Sequence, residues 1–161
     1  MTQASTPVDF DAATAAVKSG QSLAEHLGLT KRTSGALYAA AVGHHEAGRY
    51  AQAIECLMQV TVLDARMPDA WALMGNSLMR EGKFPEALEA WCLALHLNPS
   101  FASAHQVTRT AIALKDPPNA AIGLVAMFKH AETPEQRTIC SELGSRLRVL
   151  VDGAPAPTQG A

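Results

Sequence analysis

Two stretches of this chain match at a fixed offset, and that constrains the fold more than anything else in it. Residues 46–65 read EAGRYAQAIECLMQVTVLDA, and residues 80–99 read REGKFPEALEAWCLALHLNP. Laid one above the other they pair Gly48 with Gly82, Tyr50 with Phe84, Ala53 with Ala87, Leu57 with Trp91 and Leu63 with Leu97, all at one constant separation. Upstream, Leu37 pairs with Trp71 at the same distance. An offset held at six positions is a repeat, and a 34-residue period is the length of a helix-turn-helix unit.

The second copy shows how such a unit is built. Pro68 opens a helix, where its missing N–H costs nothing. The helix runs to about Glu81, and Gly82 ends it because glycine tolerates the left-handed conformation that follows a helix. Pro85 starts the partner helix in the same way, and Pro99 stops it. Ala87 is the small residue that allows a close crossing. Phe84, Leu88, Trp91 and Leu95 form an apolar stripe at three- and four-residue spacing, with Trp71 and Trp91 expected in the core. A lone hairpin cannot bury these faces, so it must stack on neighbours.

A third copy is weaker. Ala121 lies one full period after Ala87, and the expected glycine position holds Asp116, followed by a Pro117-Pro118 turn. The spacing predicts helices at 9–27, 34–47, 51–64, 69–81, 85–97, 102–115, 119–131 and 134–150. Apolar residues never alternate in a run bounded by turns, so no strand is expected. The last helix reads as a cap, with a Pro-Glu start and Arg146 and Arg148 toward its C-terminal end. The expected fold is therefore all-α: three hairpins at about 34–67, 68–101 and 102–133, stacked as a short superhelix. An N-terminal helical segment precedes them and a capping helix at 134–150 closes a single domain spanning 9–151. Residues 1–8 and the tail 152–161, rich in Ala, Pro, Gly and Thr, are expected to be disordered or flexible.

Composition narrows the function. Alanine is abundant and aromatics make up 5%, which suits closely packed helices. Thirteen basic residues face fifteen acidic ones, a net charge of -2, which argues against a nucleic-acid binder. No apolar run approaches the roughly 20 residues that span a bilayer. The N-terminus carries neither a basic n-region nor an apolar h-region, so no export signal is expected. Cys56, Cys92 and Cys140 form no paired motif and read as reduced residues on packed helix faces in a cytosolic protein. No GxSxG, phosphate loop, HExxH or paired-carboxylate pattern is present, so no catalytic residue and no cofactor is expected. His44 and His45 point about 100° apart on a helix and have no third ligand at i+4, so no metal site is expected either.

The units resemble the tetratricopeptide repeat. The second matches best, through Trp71, Met74-Gly75, Gly82, Phe84, Ala87, Trp91, Ala94 and Pro99; the first matches at Ala41, Gly48, Tyr50 and Ala53. The third departs, with Arg109 where a small residue is expected. A narrower resemblance covers about residues 20–150. Leu37-Tyr38, Ala41, Gly48-Arg49-Tyr50, Ala53 and Leu63-Asp64 look like the front of the class II chaperones of bacterial type III secretion systems. That resemblance implies a cytosolic, non-ATPase chaperone that keeps hydrophobic translocator proteins soluble before export. It implies that the chaperone grips an extended translocator segment in its concave groove, and that it often dimerises through its N-terminal helices.

The first helix of each hairpin should line that groove, with positions 2, 5, 9 and 12 of a unit pointing inward. Units starting at Ser34, Pro68 and Ala102 give Tyr38, Val42 and His45; then Asp69, Ala72, Asn76 and Met79; then Ser103, Gln106, Thr110 and Ala113. Such a groove is mixed and largely uncharged, with small pockets for apolar side chains and amide or hydroxyl groups for a peptide backbone. The related chaperones are often aromatic at the places of Val42 and His45; this chain departs there. The rival expectation is a general repeat scaffold for protein assembly. One version, which clamps a C-terminal carboxylate, needs Lys, Asn and Arg on the groove and is disfavoured by these residues. Finally, Phe10, Val17, Leu23, Leu27 and Leu29 make the N-terminal segment apolar enough to predict a homodimer contact.

Overall fold

The computed structural model describes residues 31–153, and there the chain is helical throughout. The helices are α1 (Lys31–Glu46), α2 (Tyr50–Leu63), α3 (Pro68–Arg80), α4 (Phe84–Leu97), α5 (Phe101–Ala113), α6 (Pro117–His130) and α7 (Pro134–Asp152). Helices α1–α2, α3–α4 and α5–α6 pack as hairpins, each hairpin packs on the next, and α7 packs on α6 and α5. The expected helix at 9–27 and the expected dimer residues Phe10, Val17, Leu23 and Leu27 lie outside the described residues.

Each hairpin turns in the same way. Gly48 and Gly82 take φ of +72° and +75°, the left-handed conformation expected of a helix-ending glycine. The next residue's N–H then reaches back five residues: Arg49 N–H to His44 C=O, 2.9 Å, and Lys83 N–H to Leu78 C=O, 2.9 Å. The third turn repeats the bond from Asp116 N–H to Ala111 C=O, 2.8 Å, but the left-handed residue is Lys115, at φ +56°.

That residue corrects the spacing of the third unit. Phe84 to Pro117, Gly82 to Lys115 and Pro68 to Phe101 each fall one residue short of the period that separates the first two units. The missing residue is in the connection: residues 64–67 link α2 to α3, but only 98–100 link α4 to α5. Ala120, not Ala121, therefore takes the close-crossing place of Ala53 and Ala87, and all three are fully buried. Thr108 takes the place of Gly75, which moves Arg109 off the small-residue position and out of the packed face. Opposite Thr108 the partner helix supplies Gly123, where a Cβ would come within 2.5 Å of the Thr108 hydroxyl.

Two contiguous apolar clusters form the core. One joins the first two hairpins through Ala41, Leu57, Val60, Met74, Leu78 and Ala87. The other joins the last two and the cap through Trp91, Leu95, Val107, Met127, Cys140 and Leu143. Trp91 lies against the Cα of Gly75, where a Cβ would meet the indole at 2.7 Å. Its own indole N–H is buried and finds no acceptor among the described residues. Trp71 is only partly buried, and its N–H donates to the Ala65 carbonyl, 2.8 Å away. Phe84, expected in the apolar stripe, is 43% exposed because it stands at the first position of α4, beyond the crossing. Cys56 and Cys92 are half-buried, Cys140 is buried, and all three are free thiols.

The cap begins with a two-way bond that periodicity does not reveal. The Thr133 hydroxyl accepts from Gln136 N–H, and the Gln136 side chain accepts from Thr133 N–H. Helix α7 runs on to Asp152, so Arg146 and Arg148 fall short of its last turn, where a cation would meet the dipole.

Candidate functional site

Helices α1, α3 and α5, the first of each hairpin, share a cleft of about 500 Å³. His45 from α1, Asn76, Met79 and Arg80 from α3, and Arg109 from α5 line it. His45, Asn76 and Met79 thus come together as expected from the repeat period, while Arg80 and Arg109 were not among the expected residues.

Each wall is held in place by local bonds. Ser77 is buried and its hydroxyl donates to the Leu73 carbonyl, 2.9 Å. That commits its only proton, so the 2.9 Å contact with His45 Nδ1 has the imidazole as donor. The His45 ring also meets Tyr50 edge-on, with centroids 5.3 Å apart. Tyr50 in turn accepts from Arg80 Nε at 2.9 Å and lies under the guanidinium, 5.3 Å from its carbon. Across the cleft, Arg109 donates from an Nη to the Gln106 amide oxygen, 2.9 Å. The Met79 sulfur accepts a long contact from the Thr110 hydroxyl, 3.8 Å.

The other expected groove residues distribute unevenly. Tyr38 and Val42 are half-buried on α1, and Asp69 is on the first turn of α3. Burial, and then the Asp69 charge, push the Tyr38 phenol above its usual range, which places the two in one electrostatic neighbourhood. Ala72 is half-buried and packs against the core cluster of the last two hairpins. On α5 the expectations slip by one position. Thr110 is 1% exposed and presents no surface to a ligand, because it occupies the place of the buried Ser77 one unit earlier. Ser103 hydrogen-bonds the helix-capping Ser100, and Ala113 lines a separate cleft against α7. Counted at the shortened period, the α5 equivalents of Ala72, Asn76 and Met79 are His105, Arg109 and Ile112. His105 stacks on Phe101, with ring planes 3° apart and centroids at 6.2 Å. Burial, then the neighbouring Arg109 charge, hold its pKa below the usual histidine range. A signal for the slip was present in the sequence: Pro85-Glu86-Ala87 recurs as Pro118-Asn119-Ala120, one residue early.

No family model matches the chain, and no curated protein matches it. Solved structures do. A type III secretion complex from Aeromonas hydrophila is 19% identical, covers 89% of this chain and 97% of its own, and superposes with a TM-score of 0.71. The Yersinia enterocolitica type III secretion chaperone SycD, in complex with a peptide of the translocator YopD, is 17% identical over 78% of this chain and 97% of its own, with a TM-score of 0.62. The first tetratricopeptide domain of Spaghetti (RPAP3), bound to the HSP90 peptide SRMEEVD, is 17% identical over 74% and 96%, also at 0.62. The fold is therefore the tetratricopeptide-like stack that these proteins share. Among the described residues no helix is long and apolar enough to cross a membrane.

Proposed function

We propose that this protein is a cytosolic, non-enzymatic chaperone of a type III secretion system. It holds an extended segment of a hydrophobic translocator in the cleft between its hairpins and keeps that protein soluble until export. The observation that carries this reading is the cleft itself: one cavity bounded by the first helix of all three hairpins. An extended chain lying across α1, α3 and α5 meets all three at once. The fold likeness to a chaperone solved with a translocator peptide supports the reading, and so do the Leu37-Tyr38 and Gly48-Arg49-Tyr50 motifs. Tyr38, Val42, His45, Asp69, Ala72, Asn76 and Met79 are the groove residues we assign, joined by Arg80 and Arg109, with Gln106 acting by holding Arg109. Thr110 acts only by holding Met79.

Co-expression with a translocator that bears hydrophobic spans should give a soluble complex. Tyr38→Ala with Asn76→Ala should weaken that complex without unfolding the protein. Full binding by a folded double variant would remove the cleft from the mechanism. A second reading, a general scaffold for protein assembly, is favoured by one observation: the cleft contains arginine, and a protein of this fold binds a peptide with acidic residues. Recovery from the native host of soluble regulatory or structural proteins alone would favour the scaffold. We further propose that the N-terminal segment makes a homodimer contact through Phe10, Val17, Leu23 and Leu27.

A further inference from the structure

We infer that the cleft contains an anion subsite, formed by Arg80, Arg109 and Asn76, that selects for an acidic side chain within the bound peptide segment. Two guanidiniums line one cavity, and among the described residues no carboxylate lines it with them. Neither arginine has a carboxylate partner among the described residues. Arg80 donates to a phenol and Arg109 to an amide, both neutral acceptors. Among the described residues no ion pair compensates their positive charges.

The geometry leaves the binding atoms available. A guanidinium has five N–H donors, and Arg80 spends only Nε on Tyr50. Its two terminal nitrogens keep the planar fork that matches a carboxylate in bidentate fashion. Ring contact and hydrogen bond together hold this arginine over Tyr50 before any ligand arrives, which lowers the ordering cost of binding. Arg109 keeps Nε and one whole terminal nitrogen beyond the proton given to Gln106. Asn76 is exposed on the same wall and adds a neutral N–H₂. His45 commits its Nδ1–H to Ser77, so the arginines and the amide are the donors that face the anion.

The occupant is a side-chain carboxylate, not a chain terminus. The cleft is bounded by all three hairpins and adjoins partly open residues toward the N-terminal ends of α1 and α3, Tyr38, Val42 and Ala72, so a bound peptide has further surface to occupy beyond the arginine pair. This rests on the peptide-binding reading of the cleft, but not on the identity of the translocator.

The test uses the full chain and synthetic peptides. Nine-residue pools, acetylated and C-terminally amidated, carry random flanks and a fixed central residue: Glu, Asp, Gln or Asn. Wild-type protein should bind the Glu and Asp pools about tenfold more tightly than the amide pools, the scale expected for charge-assisted hydrogen bonds. The preference should shrink as salt is raised. It should disappear in the Arg80→Gln, Arg109→Gln double variant, whose fold is checked by circular dichroism. Equal binding of all four pools by wild type would overturn the subsite, and so would a preference that survives the double variant. A preference seen only when the terminal carboxylate is left free would overturn the side-chain assignment. The translocator reading is judged separately, by co-expression: a soluble complex with no acidic preference in the pools sinks the subsite alone.

Discussion

Gly75 is the residue on which the middle hairpin closes. The Trp91 indole lies where a Cβ would stand, at 2.7 Å. A rigid ring cannot swing clear as a flexible chain end could, so Gly75→Ala should destabilise the fold by about 1–3 kcal/mol, the usual cost of overpacking. Urea unfolding monitored by tryptophan fluorescence would read this directly, and an unchanged midpoint would mean the crossing is loose. Lys115 is the opposite case. It holds φ +56° where the other two turns use glycine. Lys115→Gly should stabilise the protein by about 1 kcal/mol through relief of the left-handed penalty; a lower melting temperature would show that the Lys115 side chain contributes something the turn geometry hides.

His105 gives the same scale a pH dependence. Burial and Arg109 hold its folded-state pKa below the ordinary value of 6.5. The unfolded chain therefore binds more protons in the interval just below that value, and stability there rises with pH. Well above 6.5 both states are neutral and the slope vanishes. Acidification should thus cost stability across this interval, and His105→Gln should flatten the curve. Denaturant midpoints on either side of the interval, compared between the two proteins, decide it; parallel curves would assign the slope to other groups.

At the scale of the element, how much could be read from the sequence depended on what sets each boundary. Glycine and proline are local signals, and they located the α1–α2 and α3–α4 turns to within a residue. The all-helical stack and its hairpin order followed from the repeat alone. The third unit did not, because its turn uses Lys115 and its incoming connection is one residue short. A period counted along the chain accumulates that difference. The buried face does not: Met74, Gly75, Ser77 and Leu78 reappear as Val107, Thr108, Thr110 and Ala111. Packing sets the orientation of α5, and the connection absorbs the missing residue. So Asn76 and Met79 were legible, Arg109 was misassigned to the packed face, and Thr110 was misassigned to the cleft. The cap of α7 was missed for another reason: its Thr133 and Gln136 act through side-chain bonds that periodicity does not register. Thr133→Ala should cost about 1 kcal/mol, the usual worth of an N-cap. Hydrogen exchange at the Gln136 amide would show whether the loss is confined to the first turn of α7.

For the whole molecule, the large apolar residues that are more than half exposed lie, among the described residues, on α2, α6 and α7 rather than on the middle hairpin. Met58 and Val62 are open on α2, where Leu37, Met58, Val62 and Leu63 bound an apolar cleft of about 380 Å³. Ile122, Val125 and Phe128 are open on α6. The proposed dimer contact through residues 1–30 makes a mass prediction. Light scattering on the full chain should report a dimer, and a chain lacking those residues should report a monomer; equal masses would place self-association elsewhere or exclude it.

Helices in this stack pack chiefly on their neighbours in sequence, with α1 touching α3 and α5 touching α7 only lightly. Assembly can therefore proceed from one end, hairpin by hairpin, with little entropy lost to closing long loops. The cleft is the exception, because its walls come from α1, α3 and α5 and it is complete only when the last hairpin docks. A peptide held across it would tie together units that otherwise communicate only in series. Cargo would then convert a chain that can fray from its ends into one that opens as a single cooperative block.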